Sequence, residues 1–384
     1  METKDSNIDN INENASQDVI SYVDGLKTYI VPEGTISLCA QDIPDRKTIE
    51  FIMMPDSIEE IDEGTFGGCK LLKRINLSKS LTTISEFAFC YCTSLEAIEL
   101  PNKVTRISRG AFYGCDSLKY IHLPDSLKEI GKDAFYLCHS LKSTCIFNST
   151  IKEPNTVGNC QTLKPFKIPR SVIKIGKRAF CECDSLQSVI IPDLITIIEP
   201  KTFTDCTSLK SITFPNNLTA IESGAFAGCK SLSDFQIPNT VKIIGRCAFW
   251  ECKSILSFPM PHSIEKIGHQ AFGCCTSLKS IIFPETERDI EIGSEAFSIC
   301  ISMKFVKLSQ SVVSIGKLAF FGCKSLEAIC VPDRTRDFYK QMLTNPLRCN
   351  DLDNDLDEDE DEVCVDVDNE GYLVFDNEEC FDED

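Results

Sequence analysis

CTSLEAIELPNKVTRI at residues 92–107, followed by SRGAFYG and the next cysteine at 115, is the unit from which the chain can be read. Its cysteine recurs at 69, 92, 115, 138, 160, 183, 206, 229, 252, 275, 300 and 323. The spacing is 23 residues throughout, except for one interval of 22 and one of 25. Three residues before each of these cysteines stands a phenylalanine, from Phe66 to Phe320, with Val157 the exception. Three residues after stands Leu, or Ile255 or Met303. Further apolar pairs follow, such as Ile75/Leu77, Ile121/Leu123 and Ile212/Phe214, and then usually a proline.

The L-x-x-I-x-L segment reads as a short strand with alternate residues pointing inward. The proline after it ends the strand, because it has no N–H to give to a ladder. The second half of the unit, as in Leu127–Ile130–Gly131 and Ala134–Phe135, reads as a turn with a short helical or irregular segment. One unit cannot bury its apolar face alone, so the units must stack, with Phe, Leu and Ile forming columns of one residue per coil. The expected fold is therefore a repeat solenoid, with short parallel strands on the concave face and turns or short helices on the convex face.

The strand register continues upstream through Ile49–Met54 and Leu26–Val31, which makes fourteen strand-like segments and a body about 60 Å long. The expected layout is a polar, disordered segment at 1–20, a solenoid at 21–340 and an acidic tail at 341–384. The solenoid would have an atypical N-terminal cap about 21–65 and a short closing helix about 334–343. The weakest unit is residues 142–160, where the phenylalanine and most of the strand pattern are lost. An irregular or bulged coil is expected there, and a smaller insertion near Glu285–Asp289.

Composition narrows the function. The chain has 384 residues and a net charge of −19. Residues 351–384 hold 18 Asp or Glu and no Lys or Arg, whereas residues 1–350 hold 39 basic and 40 acidic residues. A neutral body with an acidic tail makes a nucleic-acid backbone an unsuitable partner. The first twenty residues show no secretory signal pattern, and no apolar run approaches the ~20 residues that span a bilayer. The expectation is a cytoplasmic protein, with nuclear location or non-classical export to the cell surface as alternatives.

The units AFYGCDSLKYIHLPDSLKEIG at 111–131 and AFAGCKSLSDFQIPNTVKIIG at 225–245 resemble the leucine-rich repeats of the bacterial surface antigen BspA and related treponemal proteins. The resemblance runs from about Leu26 to Tyr339, and ICVPDRTRDFYK at 329–340 is similar to the closing segment of such arrays. It implies a curved solenoid of the leucine-rich-repeat type and a role in protein binding. Relatives occur in bacteria and in parasitic or amoeboid protists, often at cell surfaces in adhesion. The family carries no catalytic motif.

No catalytic or cofactor site is read from the residues themselves, and none is expected. The chain has 22 cysteines, of which twelve belong to the column. Each is expected to fill a small buried slot as a small hydrophobe with a weak S–H donor. The remaining cysteines show no C-x-x-C pair, and His122, His139, His262 and His269 form no metal motif, so no metal site is expected. DLDNDLDEDEDE at 351–362 matches part of a calcium-loop pattern, but Leu356 stands where glycine is required. Only weak, diffuse cation binding by this tail is expected. VCVDVDNEGYLVF at 363–375 has strand-like runs flanking an Asn-Glu-Gly turn, the pattern of a small hairpin.

The candidate protein-binding face is the set of outward strand residues: Arg74, Asn76, Glu99, Tyr120, His122, Lys167, Thr213, Asp234, Gln236, Phe305 and Lys307. Tyr120 and Phe305 are the best anchors by residue type. The leading expectation is a non-catalytic protein–protein interaction scaffold with an unknown partner. The alternatives are binding of basic partners through the acidic tail, in the manner of a histone chaperone, and surface adhesion after non-classical export.

Overall fold

The computed structural model describes residues 20–144 and 166–330, together with two short strands at Asp366–Val367 and Leu373–Val374. The chain falls into two compact units, Met1–Thr344 and Asn345–Asp384. In the second, the two strands pair antiparallel, Asp366 with Val374 and Val367 with Leu373, as the Asn-Glu-Gly turn predicts. The polar N-terminal segment, the closing helix about 334–343 and the calcium-like pattern lie outside the described residues.

The first unit is a parallel solenoid. The L-x-x-I-x-L segments form a first ladder in four hydrogen-bonded stretches, each in strict one-repeat register: Ile98 pairs with Ile121, Val189 with Ile212, and Ile281 with Val306. Inward residues of this ladder, such as Ile121, Val189 and Ile281, are fully buried, and the residues on either side of them face out. The first two segments are ordinary rungs, since Thr28 pairs with Phe51 and Phe51 with Arg74. The atypical element lies before them: Ile20–Val23 folds back antiparallel on Leu26–Ile30. Their two-residue turn is Asp24–Gly25, both with positive φ, the backbone that a tight hairpin requires.

A second parallel ladder runs through the other half of each coil, where the sequence reads as turn or short helix. Arg106–Ile107 pairs with Glu129–Ile130, Ala220–Ile221 with Ile243–Ile244, and Ile243–Ile244 with Lys266–Ile267. Most of its strands are only two residues long with one Ile inward, while Ile290–Ile292 and Val312–Ile315 are longer. Between the second ladder and the next coil the chain runs in turns, and Ala40–Asp42 is a single 3-10 turn among the described residues. Helix is excluded there by the backbone itself. Two positions four residues apart adopt left-handed φ in coil after coil, as in Phe87/Tyr91, Asp133/Leu137, Arg178/Glu182 and Glu295/Ile299.

The core is a set of columns. The phenylalanine rings stack from Phe66 to Phe320 with centroids 5.1 to 5.5 Å apart and mostly near-parallel planes. Beside them runs the cysteine column. From Cys92 onward each described thiol of the column donates to the carbonyl of the phenylalanine in the preceding coil, as in Cys115 Sγ to Phe89 O at 3.1 Å and Cys229 Sγ to Phe203 O at 3.1 Å. Burial drives these thiol pKa values well up, for instance at Cys92, Cys206 and Cys229. The reading of a small buried residue with a weak donor describes them well.

The weak unit is where sequence and structure part. Glu129–Ile130 pairs directly with Lys174–Ile175, Phe135 stacks on Phe180 at 5.3 Å, and Cys183 Sγ donates to Phe135 O at 3.3 Å. The chain therefore makes one turn, not two, between Cys138 and Cys183. No other described coil stands between Phe135 and Phe180, and the bulged coil expected at residues 142–160, with Val157 and Cys160, lies largely outside the described residues. The physical reason is that a unit without its Phe and its strand pattern offers nothing to stack, whereas the coils on either side fit each other. The interval of 25 residues is absorbed more simply. The register shifts between Ile290 and Glu291 as that strand pairs with Val312–Ile315, and the turn before it is tied down by an Arg288–Glu265 ion pair.

Candidate protein-binding face

The outward residues of the first ladder are placed by alternation alone, so each candidate residue sits on one side of the sheet. The face is divided into stretches. At the N-terminal end Arg74 and Asn76 share the face with Phe51 and Met53, and Arg74 Nη1 stands 3.7 Å from Asp24 in the hairpin turn. Next come Glu99 and His122, which are direct cross-strand neighbours, with Tyr120 half-buried between Ala97 and Ser143. Lys167, Thr213 and Asp234 follow on a third stretch, where Lys167 is beside Ile190 and Thr213 continues that row. Phe305 and Lys307 lie on the last stretch, beside Ser280 and Ile282. Tyr120 and Phe305 are seven coils apart, about 34 Å at ~4.8 Å per step, so no single compact contact holds both.

The structure adds a feature to this face. The coil carrying Ser257, Phe258 and Pro259 forms no strand in the first ladder, alone among the described coils. Two substitutions in the pattern account for it. Pro259 occupies an outward strand position and has no N–H to donate. Phe235 and Phe258, like Phe166, take the central inward place that isoleucine or valine holds in most described coils. Phe258 packs edge-on against Phe249 at 5.3 Å and Phe272 at 4.6 Å. The ladder stops at Asp234–Phe235 and resumes at Ser280–Ile282, and a shallow groove of ≈ 360 Å³ opens between them. Its walls are mixed: Asp234, Gln236 and the serines 233, 257 and 280 are polar, while Pro259 and the exposed Ile282 are apolar. Asp234, Gln236, Ser280 and Ile282 fall on outward strand positions as the alternation predicts; Ser257 and Pro259 were not singled out. The signal was present in SFPMP at 257–261, where a proline stands in place of an ordinary outward residue.

Among the described residues no group of three His, Cys, Asp or Glu is placed to hold a metal ion, and no helix is long and apolar enough to cross a membrane.

Two parallel ladders closed on stacked Phe, Cys and Leu columns at a 23-residue period define a solenoid of the leucine-rich-repeat class. The model of the BspA-type leucine-rich repeat region matches residues 45–157, 149–256 and 242–354, so the chain belongs to that family. Among solved structures it is similar to a leucine-rich repeat protein from Bacteroides ovatus, at 25% identity and a TM-score of 0.57, covering 87% of this chain and 96% of that one. It is also similar to a leucine-rich repeat protein from Eubacterium ventriosum, at 19% identity and a TM-score of 0.51, covering 80% and 87%. The leucine-rich repeat protein of T. pallidum shares 19% identity with a TM-score of 0.35, covering 85% and 92%. No curated protein matches the sequence significantly.

Proposed function

We propose that this chain is a non-catalytic scaffold that binds a protein partner through the outward face of its first ladder, centred on the groove between Asp234 and Ile282. The observation that carries this is the break at Pro259. It turns an otherwise flat, small-residue face into a concave site with apolar and polar groups side by side, which is the composition of a contact centre. The repeat family supports an interaction or adhesion scaffold in general terms.

The test is affinity capture from native lysate at low and moderate salt, with three forms of the chain. These are the unaltered protein, a Gln236→Arg/Ile282→Arg variant, and a form ending at residue 350. Partners that survive moderate salt and the truncation but are lost with the double substitution support the reading. Partners lost on truncation and on raising salt would assign binding to the acidic tail and overturn it. Tyr120→Ala, several coils from the groove, is expected to leave capture unchanged.

A further inference from the structure

The second ladder carries a face of different chemistry. Its outward position holds Arg106, Glu129 and Lys174 on three successive coils, in register. Three residues further along the same coils stand Arg109, Lys132 and Lys177. The backbone is tied coil to coil at this edge, with Gly110 N donating to Lys132 O at 2.9 Å and Asp133 N to Lys177 O at 3.0 Å. The cations are thus repeated at the spacing of the coils. Together with Glu199 they wall a shallow groove of ≈ 300 Å³.

The charge in this groove does not cancel. Five basic side chains face two acidic ones, and Glu129 is shared between Arg106 Nε at 3.5 Å and Lys174 Nζ at 3.3 Å. One coil beyond, the pKa of Lys201 is lowered, first by burial and then by the charges of Arg178 and Lys177. Past Lys174 the ladder breaks, and in the next stretch the same repeat position is apolar, with Ile197, the buried Ala220 and Ile243 in register. Ile197 is 42% exposed, Ile243 38% and Ile173, next to Lys174, 60%.

We propose that this strip binds an extended acidic segment of a partner protein, with its carboxylates in the basic groove and its apolar side chains on the Ile197–Ile243 row. Arginine in the groove suits carboxylate, which it can hold through two parallel N–H bonds. The groove spans about three coil steps, roughly 15 Å, or about four residues of extended peptide. A nucleic acid would carry its phosphates on past the groove, against Glu199 and then the apolar row. A membrane surface would need a wide basic plane, which the near-neutral body does not offer. A peptide with acidic and apolar halves fits both parts of the strip.

The experiment titrates a fluorescein-labelled peptide, with glutamates in one half and leucine and valine in the other, into the full chain. Fluorescence anisotropy is read at low and moderate salt. Binding is expected at low salt and should weaken as salt rises. The Arg109→Gln/Lys132→Gln/Lys177→Gln variant should lose at least about tenfold in affinity, as two or more charge-assisted contacts would give. Ile197→Ser/Ile243→Ser should weaken this peptide but not an all-glutamate one. Lys307→Gln, on the other ladder, should change nothing. Equal binding by the charge variant, salt-independent binding or no binding at all would each overturn the proposal. So would binding of a DNA oligonucleotide or of phosphatidylserine vesicles in place of the peptide. Thermal melts of the variants confirm folding, and the salt dependence of the unaltered chain tests the proposal without any variant. The site lies on the opposite ladder from the proposed partner face, so its failure would leave that reading intact.

Discussion

Asp205 shows how far a single position in the repeat can depart from what its residue type suggests. An aspartate in a turn reads as a solvated residue, and nothing in the local sequence says otherwise. In the fold its carboxyl lies over Gly228 of the next coil, where any Cβ would collide with it. Glu182, Asp184 and Glu251 stand near enough to repel its charge. Burial first, and these acids second, push its pKa up to about 6. A carboxyl raised in the folded state stabilises the fold while it is protonated, below its ordinary value near 4, and that contribution is lost as pH rises through about 6. Asp205→Asn is therefore expected to be more stable than the parent at pH 8, by about 1–2 kcal/mol after allowing for its partial exposure. The gain should vanish towards pH 4. Urea midpoints of the two proteins across that range decide it, and a gain that does not depend on pH would show that ionisation is not the cause. The cysteine column lies at the other extreme. Its burial and weak donor role could be read from recurrence alone, but its acceptor could not, because the phenylalanine carbonyl comes from another coil.

At the scale of elements, the first ladder was legible because five residues alternate cleanly between inside and outside. The second was not. A strand of two residues, as in Glu129–Ile130, carries no alternation to detect, and it exists because an identical neighbour pairs with it on each side. The turns were half legible, since glycine marks Gly110 and Gly114 as left-handed, whereas Asp133 and Leu137 adopt the same backbone with no such mark. The candidate face was legible as a set of outward positions, but the groove within it depends on Pro259, a change in one coil. Pro259→Val restores a ladder donor and a β-branched side chain at that point. The variant is expected to pair with a neighbouring coil and to gain about 0.5–1.5 kcal/mol, the worth of one hydrogen bond. Its urea midpoint should rise while partner capture through the groove falls. A lower midpoint would mean that the proline relieves strain imposed by Phe235 and Phe258.

For the whole molecule, the decisive contact is Phe135 on Phe180. The 22-residue interval looked like one more coil because it is so close to the repeat length. Only the direct packing of the flanking coils shows that the body is one rung shorter than the sequence count. Stability in such arrays is close to a sum of terms within coils and between nearest neighbours. Because Phe135 packs directly on Phe180, deletion of residues 145–165 should leave the thermal unfolding midpoint within a few degrees of the parent. Removal of a complete coil, such as residues 207–229, should lower it, since one interface is lost with the coil. Calorimetry on the two deletions separates them, and a large loss in the first would show that the segment supports the stack. A gene that encodes this body can thus change the number of stacked coils in its product without losing a codon. Where a copy lacks the core residues of its columns, the coils on either side can close on each other, as Phe135 and Phe180 do, and the architecture around it is kept.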